Sequence, residues 1–233
     1  MASATVEDYV KAIYALERES PTGEATVARL AASLGVTKGT VTSMVAKLRE
    51  AKLAKAERYG GIRLTAKGSR LALDVIRRHR LLEVFLVETL GFDWSEVHDE
   101  AERLEHAMSA KLLDRLDAFL GRPLVDPHGD PIPDAAGKVA DSIGEPLSSM
   151  PTGARATVLR VSDLDAAFLA FAARHGLKPG AGVTVIDSSP EAQSISVRAA
   201  GRAAVSMSLA AAARVTVGGG GRLHRGEARP ARP

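Results

Sequence analysis

Two short segments of the chain combine histidine with carboxylate side chains at helical spacing. Residues three or four apart share one face of a helix, so His79 and Glu83 are expected on a common face. A second face collects His98, Glu102, Glu105 and His106. Carboxylates stacked this closely repel one another unless a cation lies between them, which favours a divalent metal site. The alternatives are a solvated polar face or, around His79, an ion pair with the neighbouring arginines.

The elements that must position these side chains are helices. Apolar residues dominate from Leu71 to Leu90, which predicts a helix around His79 and Glu83. Asp93, with Glu96 three positions later, indicates a capping box at the start of a long second helix. The apolar seam of that helix is expected along Val97, Ala101, Leu104, Met108 and Leu112, with an end near Gly121. The metal-binding side chains would lie beside this seam, where a cation can be partly desolvated.

The first seventy residues predict a winged helix-turn-helix. Apolar residues from Val6 to Leu16 recur at helical spacing and stop before Pro21, which predicts the first helix. A short second helix should stop at Gly35, and Thr37 should cap the third. Two short strands joined at Gly60-Gly61 would form the wing. Residues 1–70 hold twelve Lys/Arg against seven Asp/Glu, a local charge of +5 that fits a domain facing phosphates.

The third helix is the expected recognition helix. Its small polar and basic residues can contact phosphates and base edges in the major groove, while wing cations touch the DNA backbone. The predicted DNA-binding residues are Thr37, Lys38, Gly39, Thr40, Thr42, Ser43 and Lys47 on the helix, with Arg58 and Arg63 on the wing. The alternative is a winged-helix domain that makes only protein contacts.

Composition excludes several classes of protein. The chain has 233 residues, of which 45% are hydrophobic, enough for two or three small domains. It has no cysteine, which excludes disulfides, cysteine-ligated zinc and thiolate redox chemistry. The N-terminus does not resemble a secretory signal, and no stretch of about 18 apolar residues occurs. We therefore expect a cytoplasmic protein with no membrane partner.

The C-terminal third predicts a linker, a small β domain and a tail. Residues 141–152 are rich in glycine, proline and serine, which is typical of a linker. Apolar alternation predicts strands at 156–161, 182–186, 194–198 and 213–217, with a helix at 164–175 between the first two. A small β-barrel is the expected product. The tail supplies the whole net charge of +3, should be disordered and could add nonspecific attraction to DNA.

The chain resembles the diphtheria toxin repressor family of metal-dependent transcription repressors, in particular its manganese transport regulators. The segments that carry the resemblance are 6–17, the recognition helix from Thr37, 78–83, 97–106 and 126–133. It implies a mainly α fold with a small β domain. The implied parts are a winged helix-turn-helix DNA-binding domain over 1–73, a helical metal-binding and dimerisation domain over 74–140, a linker over 141–152, an SH3-like domain of ferrous-transport-accessory type over 153–217, and a disordered Gly/Arg tail over 218–233.

The resemblance also implies two metal sites per subunit. The residues that match the primary site are Asp8, Glu102, Glu105 and His106, and those that match the ancillary site are His79, Glu83 and His98. Only the resemblance links Asp8 to the others. In some relatives the third domain lends further ligands, for which Asp163 and Asp165 are the candidates here.

Ligand chemistry favours Mn(II), with Fe(II) open. Iron-responsive relatives carry softer, sulfur-containing residues at the positions of Asp8 and Glu102, whereas both are hard oxygen donors here. Lys11 stands where some manganese regulators supply a glutamate that helps to build a close two-metal centre. This departure favours separate primary and ancillary sites.

The sequence therefore predicts a Mn(II)-activated repressor of metal-uptake genes that binds palindromic DNA operators as a homodimer. An Fe(II)-responsive repressor and a winged-helix regulator that needs no metal are the alternatives. A metallohydrolase is a further one, but such enzymes usually pair two histidines with a separate general base. We expect no enzymatic activity and no small organic substrate. His128 is predicted to be a turn residue, and His175 and His224 have no predicted role.

Overall fold

The structure, a computed structural model, describes residues 3–56, 61–140, 144–162 and 165–219. Its contacts divide the chain into two compact units that interleave along the sequence. The first unit comprises Met1–Leu86, Asp99–Leu124 and Ile132–Ala140, and the second comprises Val87–His98, Val125–Pro131 and Asp141–Pro233. Two segments inside the predicted helical domain, 87–98 and 125–131, thus belong to the second unit. No helix in the described ranges is long and apolar enough to cross a membrane.

The first unit begins with the winged helix-turn-helix that the sequence predicts. Its elements are α1 (Ala4–Glu19), α2 (Val27–Ser33), α3 (Lys38–Glu50), β1 (Ala54–Ala56) and β2 (Ile62–Leu64). Ser3, Thr26 and Thr37 cap the three helices, because each side chain accepts a hydrogen bond from a backbone N–H of the first turn. The strands pair antiparallel, with Lys55 opposite Arg63. The predicted wing tip, which includes Arg58, lies outside the described residues.

A helical region follows and differs from the predicted single long helix. Helix α4 (Ala66–Glu88) carries His79, and then come α5 (Val97–Leu104), a 3-10 turn (Glu105–Ala107) and α6 (Ala110–Phe119). The chain breaks after the turn because Met108 is extended, with φ −75° and ψ 124°, and Ser109 caps a new helix. The prediction of one continuous helix is therefore wrong.

Two further expectations for this region are corrected. The Asp93 carboxylate accepts from the backbone and hydroxyl of Ser95, and α5 begins only at Val97, so Asp93 stabilises a turn before the helix. Of the predicted seam, Leu104 is 39% exposed and Leu112 is 53% exposed. The break after the 3-10 turn changes which residues of α6 face the core. Leu113 and Leu116 are buried there instead.

The second unit is built on a six-stranded antiparallel sheet. Its strands are β3 (Glu145–Pro146), β4 (Arg155–Val161), β5 (Gly182–Ser189), β6 (Ser194–Ala199), β7 (Val205–Ser208) and β8 (Val215–Gly218), arranged in the order β3-β8-β4-β5-β6-β7. Helix α7 (Ala166–Arg174) follows β4, and the short α8 (Leu209–Ala212) follows β7. The predicted small β domain is confirmed, but its described strands form an open sheet with β3 and β7 at the edges and not the closed barrel that was expected. Strands β3 and β7 and helix α8 were absent from the prediction.

The predicted linker is partly a structured segment. Glu145 and Pro146 pair with β8, and Leu147 in the 3-10 turn that follows is fully buried in the core of the second unit. Proline and glycine interrupt regular structure, which favoured a linker. Burial of the apolar Leu147 side chain still stabilises the folded segment. Residues 141–143 and the tail beyond Gly219 lie outside the described residues, so those parts of the prediction stay predictions.

Candidate metal centre

Three elements of the first unit bring the predicted primary ligands together. Helix α1 supplies Asp8, and the end of α5 with the following 3-10 turn supplies Glu102, Glu105 and His106. Helix α4 contributes His79 to the same neighbourhood. Glu105 is fully buried, whereas the Asp8 side chain is 40% exposed and can be reached from solvent.

Asp8, Glu105 and His106 form what we call the outer triad. One ligand atom from each lies within 4.8 Å of the other two. His106 Nε2 is 2.8 Å from Asp8 Oδ1 and 3.6 Å from Glu105 Oε1. Because Asp8 is on α1 and the other two are on the 3-10 turn, a cation held here would join these two elements.

His79, Glu102 and Glu105 form a second group, the inner triad, which shares Glu105 with the first. Their ligand atoms also lie within 4.8 Å of one another. His79 Nδ1 is 2.6 Å from Glu105 Oε2 and 3.9 Å from Glu102 Oε1. The structure thus places His79, predicted for the ancillary site, against two predicted primary ligands.

A lysine reaches into the inner triad. Lys11 lies one turn after Asp8 on α1, and its Nζ donates to Glu102 Oε1 at 2.5 Å and to Glu105 Oε2 at 2.9 Å. The same Nζ lies 3.2 Å from His79 Nδ1. Lys11 was recognised in the sequence only as a departure from some relatives. Its contacts depend on the packing of α1 against α4 and α5, which spacing along the chain does not show.

A second layer of buried charges orients His106. Glu7 Oε2 accepts from His106 Nδ1 at 2.8 Å, which leaves Nε2 facing Asp8. Arg78 donates to both Glu7 oxygens, at 3.1 and 3.2 Å, and to the backbone carbonyl of Glu105 at 3.0 Å. Sequence reasoning missed Glu7. The available signal was a carboxylate on the otherwise apolar face of α1.

The electrostatics of the cluster follow from this arrangement. Burial opposes a charge on His79, but the Glu83 carboxylate and hydrogen bonds to Glu105 and Glu83 outweigh it and raise the pKa of His79 to about 9. Burial also opposes a charge on His106, yet Glu7, Glu105 and Asp8 raise its pKa. The pKa of Asp8 is raised by burial and by the nearby Glu102 and Glu105 carboxylates, against the effect of His106.

The donor set fits a divalent cation. Carboxylate oxygens and an imidazole nitrogen converge from two elements. The pKa of Asp8 is raised first by burial and then by the Glu102 and Glu105 carboxylates, and a bound cation would oppose both effects. The histidines hold protons more firmly than usual, so a metal that binds them must displace protons.

The predicted ancillary residues divide between the two units. His79 Nε2 and Glu83 Oε1 lie 3.0 Å apart on adjacent turns of α4, and both side chains are buried. His98 belongs to the second unit, so its part in a common site stays a prediction.

Three other candidates in the described part of the second unit, Asp165, His128 and His175, have structural contacts. Asp165 caps α7 by accepting from the Phe168 N–H and pairs with Arg214 at 3.1 Å, while Asp163 lies outside the described residues. His128 sits in a turn, where its Nε2 lies 2.9 Å from the Trp94 carbonyl oxygen. His175 ends α7, and its ring packs on Phe171.

The predicted recognition helix presents its polar residues to solvent. The exposed positions are Thr37, Lys38, Gly39, Thr40, Thr42, Ser43 and Lys47. Thr42 donates to the Lys38 carbonyl at 2.9 Å, within the helix. A Cβ on Gly39 would meet only the Thr37 hydroxyl, at 3.7 Å, so packing does not require glycine there. Arg63 is exposed but donates to Glu24 at 2.9 Å and to the Thr22 carbonyl at 2.7 Å.

Comparisons with known proteins identify the domains of the chain. Three family models match: the N-terminal DNA-binding domain of iron-dependent repressors over residues 1–62, their metal-binding and dimerisation domain over 65–134, and the FeoA domain over 145–217. The chain is 40% identical to the iron-dependent repressor IdeR of Mycobacterium tuberculosis over 129 residues, which is 55% of each chain. The chain thus spans about half the length of this curated relative.

Two further relatives are a transcriptional regulator and a manganese-dependent transcriptional repressor. The chain is 37% identical to the HTH-type transcriptional regulator MntR of Bacillus pumilus over 116 residues, which is 50% of this chain and 78% of that one. A solved structure of a manganese-dependent transcriptional repressor in complex with manganese has a TM-score of 0.84 and 40% identity, covering 91% of this chain and 98% of that one. The chain belongs to the family of metal-dependent transcriptional repressors that includes IdeR, the diphtheria toxin repressor and MntR. The predicted family is confirmed.

Proposed function

We propose that this chain is a metal-activated repressor that binds operator DNA upstream of metal-uptake genes and is not an enzyme. The observation that carries the proposal is the outer triad, in which Asp8 of the DNA-binding domain meets Glu105 and His106 of the helical region. A ligand set that spans two elements gives a metal ion control over how they are held together.

Mn(II) is the activator that the ligand chemistry favours, and Fe(II) is the alternative. The proposed primary ligands are Asp8, Glu102, Glu105 and His106, which are three carboxylates and one imidazole. Such a set suits Mn(II) or Fe(II), although later metals such as zinc bind more tightly where geometry allows. Relatives named for iron and for manganese both support the class of effector. We also propose a second, ancillary site at His79, Glu83 and His98, as the resemblance implies.

The path from the metal to DNA runs through α1. This helix packs with α2 and α3 in one apolar core, where Val10, Ile13, Leu30, Val41 and Leu48 are buried. When bound, the metal supplies positive charge that draws the ligand carboxylates together. Asp8 then holds α1 to the 3-10 turn, and α1 holds the recognition helix in place.

A homodimer on a palindromic operator completes the proposal. Leu104, Leu112 and Phe119 of the helical region are exposed, Phe119 by 68%, as expected of a surface that a second copy covers. Two recognition helices one groove repeat apart would then read two half-sites. Binding to promoter DNA would place the protein in the cytoplasm.

The experiment is a fluorescence-anisotropy titration of the full chain onto DNA from its neighbouring promoters. It is run in chelator and then with Mn²⁺, with Fe²⁺ under anaerobic conditions, or with Zn²⁺. We expect weak binding in chelator and strong binding with Mn²⁺ at low micromolar concentration. Equal binding in chelator and in metal would indicate a metal-independent regulator and overturn the proposal.

A further inference from the structure

The amino group of Lys11 occupies the position where a cation would be expected in the inner triad. It touches both carboxylates of the triad, Glu102 and Glu105, and lies beside His79. The side chain of Lys11 is 19% exposed and that of Glu105 is fully buried, so the contact is shielded from water on the Glu105 side. In such surroundings opposite charges attract more strongly than at a protein surface.

Glu102 and Glu105 are also two of the four proposed ligands of the primary metal. Glu105 belongs to both triads, and Lys11 donates to both of its oxygens, at 2.9 and 3.1 Å. A metal ion that takes these carboxylates must therefore take them from the lysine. A divalent ion and an ammonium group a few ångströms apart also repel each other.

We propose that Lys11 is a built-in cation that pairs the metal-free ligand carboxylates and competes with the metal for them. Metal binding is then an exchange in which Lys11 releases Glu102 and part of Glu105. The flexible four-carbon stem of lysine allows the ammonium group to withdraw. This inference rests on the proposed function and adds a residue that sets how much metal is needed for activation.

Two consequences separate this role from simple packing. With Lys11 in place, the carboxylates stay assembled without metal, at the cost of weaker metal binding. Without the charge of Lys11, the carboxylates should bind metal more tightly, and the folded chain should be less stable in chelator. A residue that only supported the fold would lose stability without a gain in metal affinity.

The test compares Lys11→Gln with Lys11→Arg in the full chain. Glutamine keeps a hydrogen-bond donor but removes the charge, and arginine keeps the charge. Isothermal titration with Mn²⁺ gives the binding constant, and urea unfolding in chelator gives the stability. We expect Lys11→Gln to bind Mn²⁺ about tenfold more tightly and to unfold at lower urea, because the ammonium charge that pairs Glu102 and Glu105 is lost. Lys11→Arg should stay close to the wild-type chain in both measurements.

The possible outcomes are distinct. If the wild-type chain binds Mn²⁺ and Lys11→Gln binds it with equal or lower affinity, the exchange is overturned and the proposed function stands. No binding of Mn²⁺ by either protein would overturn the proposed function, and the exchange with it. If Lys11→Gln fails to fold, a similar affinity gain is expected in Lys11→Met, and its absence there would overturn the exchange.

Discussion

The candidate metal centre, called the cluster below, comprises the two triads with Lys11, Glu7 and Arg78. This cluster and the predicted recognition helix are both polar regions of the first unit, but they are built in opposite ways. In the cluster, Glu105 and His79 are almost completely buried and bond across three helical elements. On the recognition helix, Lys38, Thr42 and Ser43 are exposed, and Thr42 donates a hydrogen bond to the Lys38 carbonyl of the same helix.

The difference fits the two partners that we propose. A small hard cation needs donors that are already gathered, and gathering like charges out of water is possible only with compensating cations such as Lys11 and Arg78. A long polyanion needs cations that remain in water until it arrives. Substitutions in the cluster should therefore alter stability and metal affinity together, whereas substitutions on the helix should alter DNA binding alone.

The largest expected effect comes from His79 of the cluster, which should make the free energy of unfolding depend on pH. The folded chain raises the pKa of His79 to about 9 from its ordinary value of 6.5, so the folded state holds the proton more tightly. This stabilisation is complete below about pH 6.5, amounts to about 3 kcal/mol and is lost as pH rises through 9. Urea unfolding in chelator should show a steeper loss between pH 7 and 10 for the wild-type chain than for His79→Gln. Parallel curves for the two proteins would contradict the assignment.

A smaller effect is expected from Glu7, which touches His106 rather than the metal. Glu7→Gln removes the negative charge that orients the imidazole and balances Arg78. Loss of such an outer partner typically weakens metal binding by about 10- to 100-fold. Calorimetry with Mn²⁺ should show this loss, while DNA affinity at saturating Mn²⁺ should be unchanged.

Glu19→Gln is the matched control for Glu7, because Glu19 is on the same helix and pairs with Arg29 at the surface. Equal Mn²⁺ affinity in the two variants would show that Glu7 does not orient His106.

The smallest effect tests the recognition helix. Lys38→Ala should weaken DNA binding and reduce the slope of log affinity against log salt by about 1, as expected for one lost phosphate contact. Affinity for Mn²⁺ should not change, because Lys38 is exposed on α3, which contributes no residue to either triad. Lys178→Ala in the second unit is the charge-matched control. If Lys38→Ala lost Mn²⁺ affinity, the two regions would not be independent.

Local signals in the sequence were sufficient for the DNA-binding domain. Thr37 and Gly35 mark the helix ends, and the apolar residues of α1 to α3 recur at helical spacing. The same signals failed at residues 105–109, where the periodic pattern continues although the chain turns. The turn frees the Glu105 carbonyl to accept from Arg78, a residue 27 positions away. A local sequence pattern cannot predict a hydrogen bond between residues so far apart in the chain.

The candidate metal centre was predicted in its residue types but not in its charge balance. Helical spacing indicated the carboxylates and histidines, and the family resemblance added Asp8. Lys11, Glu7 and Arg78 balance the charges of the cluster. They lie on α1 and α4, and only the packing of these helices against α5 and the 3-10 turn brings them to Glu102, Glu105 and His106. In the third domain, the short strands β3 and β7 were missed because two to four residues carry too little alternation to stand out.

The central claim is that metal acts by joining α1 to the 3-10 turn, and Asp8 is the proposed ligand that makes this connection from α1. The most direct measurement is a Mn²⁺ titration of DNA binding by anisotropy, with the wild-type chain and Asp8→Asn side by side. We predict equally weak binding by both in chelator, and a rise in affinity with Mn²⁺ for the wild-type chain alone. Activation of Asp8→Asn at the same Mn²⁺ concentration would contradict the claim.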